Sequence, residues 1–253
     1  MTILRPKKSL GQNFLVDGNY QRKIFEAVCC TNPSNIMEIG PGREALTQHF
    51  VKRAGHLLVV EKDRELASHL IEKYSKGVRV VEADFLECDL SALFGEEKNW
   101  VVVGNLPYNV ASQIFIKLVQ NRKYFSDLFL MFQKEMAARF VAKPSTKDYG
   151  LLSLWAQIYT APKILFHLPP TVFKPQPKVN SSFVHFKIKT QPLIEESEEE
   201  NFWILMRLLF QQRRKTMGSV LKKKKIDFPE SYQKVRAEEL TVEELVKFLR
   251  SIP

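Results

Sequence analysis

Short apolar runs alternate with helix-like stretches over the first half of the chain. Five mostly apolar runs have the length of buried strands: 36–39, 57–60, 78–81, 100–103 and 128–132. Three stretches between them place apolar residues at helical spacing: 45–53, 64–74 and 111–119. This alternation is typical of a parallel sheet covered by helices on both faces, and right-handed crossovers make such a sheet doubly wound. The pattern therefore predicts an α/β fold.

Four residues with distinctive chemistry each follow a predicted strand: Gly40, Glu61, Asp84 and Asn105. The carboxyl ends of parallel strands meet at one edge of the sheet, and ligands bind there near the switch point of the strand order. We therefore expect these four residues to lie together and to form a binding site.

The second half of the chain has a different pattern. Residues 151–189 are rich in proline and end in an alternating run, 182–189, which predicts an antiparallel edge strand. The acidic segment 191–200 predicts a linker and the start of a helix. The remaining residues have the pattern of about three helices. We therefore expect two domains: 1–190 and 191–253.

Composition narrows the class of protein. The net charge is +10, from 38 Lys and Arg against 28 Asp and Glu, and clustered cations favour a polyanion such as nucleic acid. No apolar run reaches the ~20 residues of a membrane-spanning helix, so we expect no membrane partner. The three cysteines and five histidines lack the spacing of a disulfide framework or a metal site, which indicates a cytoplasmic protein without a metal.

The glycine loop from Glu38 to Ala45 is compatible with either of two kinds of cofactor. It fits GxGxxA after a strand, and Glu61 lies 21 residues beyond Gly40, as in nicotinamide dinucleotide sites. That interpretation needs a pyrophosphate at the helix N-terminus, where Glu44, in the first helical turn, would repel it. S-adenosylmethionine has no phosphate, and its ribose hydroxyls and adenine amino group suit Glu61 and Asp84. The loop therefore favours S-adenosylmethionine.

The sequence Asn105-Leu106-Pro107-Tyr108 suits chemistry on an exocyclic aromatic amine. Such an amine is a poor nucleophile because its lone pair is delocalised into the ring. Two acceptors, the Asn105 side-chain oxygen and the Leu106 carbonyl, can localise that lone pair. Pro107 stiffens the turn and Tyr108 can stack on an extruded base. The motif therefore predicts a catalytic corner that binds the amino group of an extruded base.

Five ordered segments carry a family resemblance: KSLGQNFL at 8–15, EIGPG at 38–42 with ALT at 45–47, NLPY at 105–108, FKPQPKVNS at 173–181 and FQQRRKT at 210–216. Together they resemble the ribosomal RNA small-subunit adenine N6,N6-dimethyltransferase family. The resemblance implies a Rossmann-like class I methyltransferase sheet with a small C-terminal all-helical domain.

The resemblance also implies a reaction and its partners. S-adenosylmethionine would supply methyl groups to N6 of two adjacent adenosines, in a hairpin loop near the 3′ end of small-subunit ribosomal RNA. The partners would be this RNA and the immature small ribosomal subunit, as part of subunit biogenesis. We expect a cytoplasmic monomer.

The resemblance assigns roles residue by residue. Six residues would contact the cofactor: Asn13, Leu15, Gly40, Glu61, Asp84 and Asn105. Five would hold the target adenine: Asn105, Leu106, Pro107, Tyr108 and Phe173. A basic cluster that continues an apolar-faced helix would bind RNA: Arg213, Arg214 and Lys215.

Two residues depart from the family pattern, and other functions remain open. Glu44 stands where the family usually has Gly or Ala, and Asn180 where it usually has Asp. The alternatives are a large-subunit RNA adenine methyltransferase of the antibiotic-resistance type and a ribosome assembly factor that acts mainly by binding. A nicotinamide dehydrogenase is the weakest candidate, because of Glu44 and the lack of an obvious substrate domain.

Overall fold

The apolar runs of the sequence form strands of one central sheet in the computed structural model, which describes residues 7, 10–74 and 76–252. The strands are β1 (Phe14–Leu15), β2 (Asn35–Ile39), β3 (His56–Glu61), β4 (Val78–Glu82), β5 (Trp100–Asn105), β6 (Phe125–Gln133), β7 (Thr160–Leu168), β8 (Phe173–Lys174) and β9 (Ser181–Ile188). Seven of them form a sheet in the order β4-β3-β2-β5-β6-β9-β7, and β1 pairs with β8 separately. The predicted α/β fold is confirmed.

Strands β2 to β6 are parallel, and their register brings the predicted site residues to one edge. Ile39 at the end of β2 pairs with Val60 on β3 and with Gly104 on β5. The next residues along these three strands are therefore neighbours at the carboxyl edge. They are Gly40, Glu61 and Asn105.

The helices lie between the strands and in the C-terminal part of the chain. They are α1 (Gly18–Cys29), α2 (Thr47–Phe50), α3 (Arg64–Lys73), α4 (Leu90–Phe94), α5 (Ala111–Gln120), α6 (Lys134–Phe140), α7 (Leu151–Tyr159), α8 (Glu199–Phe210), α9 (Met217–Lys223) and α10 (Val242–Arg250). The expected helices over 64–74 and 111–119 correspond to α3 and α5. None of the helices in the described ranges is long and apolar enough to cross a membrane.

Two sequence predictions about single elements are wrong. The helix expected over 45–53 is only the four-residue α2, because left-handed backbone at Glu44 (φ +62°) keeps the chain in turns until Leu46. The run 182–189 forms β9, antiparallel to β6, but it is an inner strand. At this end of the sheet the edge strand is β7, which contains Pro162, and an edge strand tolerates proline because it needs hydrogen bonds along one side only.

The chain divides into two compact units, and their bounds differ from the expected domains. The first contains Met1–Ala137 and Lys163–Ile188, and the second contains Ala138–Pro162 and Lys189–Pro253. The break after Ile188 lies close to the expected boundary at 190. The segment 138–162, expected in the first domain, belongs to the second unit, because α7 packs there against α8 and α10.

The second unit has its own apolar core. Trp155 on α7 stacks on Trp203 on α8, with ring centroids 4.0 Å apart and an interplanar angle of 5°. The Trp203 indole N–H donates to the Tyr159 hydroxyl at 3.0 Å, and the Tyr149 hydroxyl donates to the Leu240 carbonyl at 3.0 Å. The indole N–H and the two tyrosine hydroxyls therefore each have a hydrogen-bond partner, which stabilises this core.

Candidate active site

A cleft opens at the carboxyl edge of the sheet in the first unit. Nine of the predicted site residues line it: Asn13, Leu15, Gly40, Glu61, Asp84, Asn105, Leu106, Pro107 and Tyr108. Phe173 is not among the described residues that line this cleft. The structure therefore brings together the expected glycine loop, both carboxylates and the Asn105–Tyr108 corner.

Glu61 braces the glycine loop from the end of β3. Its Oε2 accepts the Gly42 N–H at 3.0 Å, and its Oε1 accepts the Asp63 N–H at 2.8 Å. Only 5% of Glu61 is exposed, and this burial raises its pKa. Each carboxylate oxygen carries two lone pairs, so Glu61 can also accept a hydrogen bond from a ligand hydroxyl.

The bend at Gly40 leaves its backbone open to the cleft. Gly40 has φ +66°, and a Cβ added there would meet no atom within 4 Å. Gly42 is different, because a Cβ there would lie 2.9 Å from the Phe14 ring. The first glycine thus lets a ligand approach the main chain, and the second lets the N-terminal segment pack on the loop.

Asp84 lies two residues beyond β4 with its carboxylate held ionised. Its Oδ1 accepts the Leu86 N–H at 3.0 Å, and its Oδ2 accepts a hydrogen bond from Lys62 Nζ at 2.7 Å. Partial burial opposes ionisation, but the contacts with Lys62 and the Leu86 N–H outweigh it and lower the Asp84 pKa. Asp84 is therefore an anionic acceptor at the rim of the cleft.

The segment from Leu10 to Leu15 forms one wall of the cleft. Lys7 Nζ contacts Asp63 Oδ1 at 2.7 Å, and Gln12 Nε2 donates to Asp63 Oδ2 at 3.2 Å. These contacts tie the segment to the residues just after β3. Lys8 and Ser9, which begin the first motif, lie outside the described residues.

The Asn105–Tyr108 corner begins where β5 ends. The Asn105 Nδ2 donates to the Asn13 carbonyl at 2.8 Å, which fixes the orientation of the side-chain amide. The Val110 N–H donates to the Pro107 carbonyl at 3.1 Å and closes the turn. The Tyr108 hydroxyl contacts the Ser181 hydroxyl at 2.5 Å. The corner is therefore fixed at both ends.

Glu38 is a cleft residue that the sequence analysis did not select. It is 2% exposed on β2, and its Oε2 accepts the Thr47 hydroxyl at 2.7 Å. Burial raises its pKa to about 8, and the charges of Glu61 and Glu44 add to this effect. The sequence does contain a signal for this residue, because Glu38 is the one charged residue in the apolar run 36–39. A charged residue is rarely buried without a role or a partner.

Comparison with known proteins decides the family. The family model for ribosomal RNA adenine dimethylase matches residues 3–250. Two relatives carry the name ribosomal RNA small subunit methyltransferase A. The protein from Chlorobium phaeobacteroides is 42% identical over 99% of this chain and 93% of its own length, and that from Geobacillus thermodenitrificans is 41% identical over 83% and 74%. The chain belongs to the ribosomal RNA adenine dimethylase family.

Solved structures support the same fold. A dimethyladenosine transferase from Plasmodium falciparum superimposes with a TM-score of 0.79 at 22% identity, covering 93% of this chain and 95% of the other. The 23S rRNA methyltransferase ErmE gives a TM-score of 0.72 at 22% identity, covering 95% and 99%. The enzyme therefore has the fold of a class I methyltransferase.

The cofactor of this enzyme is S-adenosylmethionine, and the cleft fits it. The open backbone at Gly40 can admit the amino-acid portion, and Glu61 and Asp84 provide buried or half-buried oxygen acceptors. The short α2 has four residues, so it offers little helix dipole for a pyrophosphate. This feature, rather than repulsion by Glu44, disfavours a nicotinamide dinucleotide.

Glu44, the first departure from the family pattern, points away from the cleft. Its carboxylate lies within 2.7 Å of His69 Nε2, 2.6 Å of Lys73 Nζ and 2.6 Å of the Tyr74 hydroxyl. Burial opposes ionisation, but these contacts outweigh it and lower the Glu44 pKa. The expectation that Glu44 lies in the first helical turn is wrong, because it precedes α2 in left-handed backbone.

Asn180, the second departure, is exposed at the start of β9. Its carbonyl accepts the Lys134 N–H at 2.9 Å. Because this contact uses the main chain, an aspartate or an asparagine can occupy the position equally well.

Phe173 is placed differently from the expectation. It is 2% exposed and belongs to an apolar cluster with Leu15, Val172 and Phe183. Strand β8 pairs with β1, and alternation along β8 turns Phe173 inward while Lys174 is exposed. The expected contact of Phe173 with the target adenine does not fit this geometry.

The basic cluster at 213–215 is a turn between α8 and α9, rather than the continuation of a helix. Arg213 contacts Glu238 at 2.7 Å and donates to the Lys147 and Thr146 carbonyls at 3.0 and 3.3 Å. Arg214 and Lys215 are exposed. Arg213 therefore stabilises the second unit, and the two following residues keep the expected role as a prediction.

Proposed function

We propose that the enzyme dimethylates N6 of two adjacent adenosines in a hairpin loop near the 3′ end of small-subunit ribosomal RNA. Its partner is the immature small ribosomal subunit in the cytoplasm, and the modification is a step of subunit biogenesis. The names of the relatives, small subunit methyltransferase A, support this choice of RNA.

One observation carries the proposal. The Asn105–Tyr108 corner and the Gly40, Glu61 and Asp84 residues line the same cleft, so a base amine and a methyl donor can meet there. S-adenosylmethionine, when bound, supplies a methyl group on a cationic sulfur. Glu61 accepts hydrogen bonds from the ribose, and Asp84 accepts one from the adenine amino group. The remaining cofactor contacts come from Asn13, Leu15, Gly40 and Asn105.

The corner positions the target amine. Asn105 Oδ1 and the Leu106 carbonyl accept the two N6 hydrogens of an extruded adenine, Pro107 stiffens the turn, and Tyr108 stacks on the base. This nitrogen would receive the methyl group of the bound cofactor, and the alkylated amine would release its proton to water. Catalysis comes from positioning and from stabilisation of charge on nitrogen.

Transfer of labelled methyl groups tests this function. Immature small-subunit particles and large subunits are incubated separately with labelled cofactor, and modified nucleosides are identified by mass spectrometry. We expect N6,N6-dimethyladenosine only in small-subunit RNA. Label in large-subunit RNA would instead support the antibiotic-resistance type, and particle maturation without transfer would support an assembly factor.

Asn105→Ala is the diagnostic variant. We expect at least a tenfold loss of turnover, about 1.4 kcal/mol, with the fold intact. Asn121→Ala is the matched control, because Asn121 Nδ2 donates to a backbone carbonyl at 2.9 Å, much as Asn105 Nδ2 does at 2.8 Å. Equal turnover in the two variants would refute the role of Asn105.

A further inference from the structure

A pair of hydroxyl groups joins the catalytic corner to the start of β9. Tyr108 Oη and Ser181 Oγ lie 2.5 Å apart, although the residues are 73 positions apart in the chain. Ser181 is fully buried and is not among the described residues that line the cleft. Its hydroxyl therefore meets the outer end of the Tyr108 ring and is not placed to contact a substrate.

The contact joins the turn that follows β5 to a strand of the central sheet, because Tyr108 lies three residues after β5 and Ser181 is the first residue of β9. Ser181 pairs with Gln133 at the end of β6, and Met131 on β6 pairs with Asn105, the last residue of β5. The Tyr108 hydroxyl oxygen lies on the axis of its ring, so a hydrogen bond between this oxygen and Ser181 on a rigid strand fixes the direction in which the ring projects into the corner. The position of the Tyr108 ring is thus set by the same strands that place Asn105.

We propose that Ser181 is a positioning residue for methyl transfer, which acts by holding the Tyr108 ring in the place where the target adenine stacks. This inference rests on the proposed function of the corner. Dimethylation needs the base to be placed twice, the second time with one methyl already on N6. A ring that moves away from this place would misplace the amine in both transfers, and the singly methylated product would accumulate.

The neighbouring serine offers a matched control. Ser182 is also fully buried, and its hydroxyl lies 2.8 Å from His167 Nδ1. Successive strand residues point to opposite faces, so Ser182 has no contact with the corner. Ser181→Ala and Ser182→Ala each remove one buried hydroxyl with one hydrogen-bond partner. Any difference between them in catalysis is therefore due to the partner and not to a general loss of stability.

The test is a double-mutant cycle on wild-type, Ser181→Ala, Tyr108→Phe and the double variant. We expect each single change to lower kcat/KM for immature small-subunit particles about three- to tenfold, as the loss of one hydrogen bond implies. The double variant should lose no more than either single variant, and the share of N6-monomethyladenosine should rise. Cofactor affinity measured by calorimetry should stay unchanged in all four, and Ser182→Ala should keep wild-type kcat.

Other outcomes overturn the inference. Additive losses in the double variant, a fall in cofactor affinity that accounts for the lower rate, or an equal loss in Ser182→Ala would each show that Ser181 does not act through Tyr108. If Ser181→Ala does not fold, Tyr108→Phe removes the same hydrogen bond without altering β9, and wild-type product ratios there would refute the proposal. An active wild-type enzyme separates these results from failure of the proposed function, in which no methyl reaches RNA at all.

Discussion

Glu61 has two roles that can be separated at the level of single atoms. Its two oxygens accept the N–H groups of Gly42 and Asp63, and it also lines the cleft. A glutamine at this position keeps the size of the side chain but replaces one acceptor with a donor that faces another N–H group. The substitution thus removes acceptor capacity with little change in packing.

We expect Glu61→Gln to weaken S-adenosylmethionine binding about tenfold or more, while binding of RNA persists. Glu82→Gln is the control, because Glu82 is the register partner of Glu61 on β4 and is exposed. Calorimetry with the cofactor measures both. Unchanged affinity in Glu61→Gln, or the same loss in Glu82→Gln, would contradict the assignment.

Glu38 makes stability depend on pH in a defined direction. Its pKa is raised from 4.5 to about 8, so the folded protein keeps a proton that the unfolded chain releases. The stability from this group is complete below about pH 4.5 and is lost as the pH rises toward 8, at up to about 1.4 kcal/mol per pH unit. The carboxylates with a lowered pKa, such as Glu44 and Asp84, change the stability only at pH values below this range.

Glu38→Gln should therefore flatten the decline of the free energy of unfolding between pH 5 and 8. Urea unfolding at intervals across this range gives the slope for the wild-type and the variant. Glu61, whose pKa is also raised, is present in both proteins and cancels in the comparison. Parallel pH profiles would show that Glu38 is ionised in the folded state.

At the scale of elements, the cofactor loop is anchored to α3 and the residue after it. The Glu44 carboxylate contacts His69, Lys73 and Tyr74, although its own backbone is left-handed (φ +62°), a conformation that favours glycine. The contacts of the Glu44 side chain thus hold the turn at a position where the family usually has Gly or Ala.

Glu44→Ala and Glu44→Gly separate the anchor from the backbone effect. Alanine loses the anchor and keeps the backbone strain, so we expect it to lower the free energy of unfolding by about 1–3 kcal/mol and to weaken cofactor binding. Glycine loses the anchor but relieves the strain, so it should lower the free energy of unfolding less than alanine does and still weaken cofactor binding. Wild-type cofactor affinity in both variants would show that α3 does not position the loop.

The sequence predicted the elements whose signal is local. Buried parallel strands are continuous apolar runs, so β2 to β6 were found, and the residues that follow them do meet at one edge. The strand β7 was missed because Pro162 and the surrounding prolines favour a loop, and only its edge position tolerates them. Phe173 and Arg213 were misplaced because the partners that bury or hold them, Leu15 and Glu238, are distant in the chain.

At the scale of the whole molecule, the net charge of +10 favours binding to RNA, but only cations that face solvent can contribute. Residues 134–189 contain nine Lys and Arg against two acidic residues, and the two units divide this basic segment between them. Within the second unit, the turn at 213–215 contains both cations that are held by protein contacts and cations that face solvent. Arg213 is engaged by Glu238 and two carbonyls, and Arg214 and Lys215 are exposed.

Replacing Arg214 and Lys215 with glutamine should reduce the salt dependence of binding to immature small-subunit particles. Each lost phosphate contact lowers the slope of log affinity against log salt by about 0.7–0.9, so we expect a decrease of at most about two for the pair. Arg213→Gln should instead lower the melting temperature, because it leaves Glu238 and two carbonyls without their donor, and should keep the slope. Binding measured from 50 to 300 mM salt distinguishes the two variants. A slope that falls with Arg213→Gln and not with the pair would place the RNA contact on Arg213 itself and make its contacts within the unit secondary.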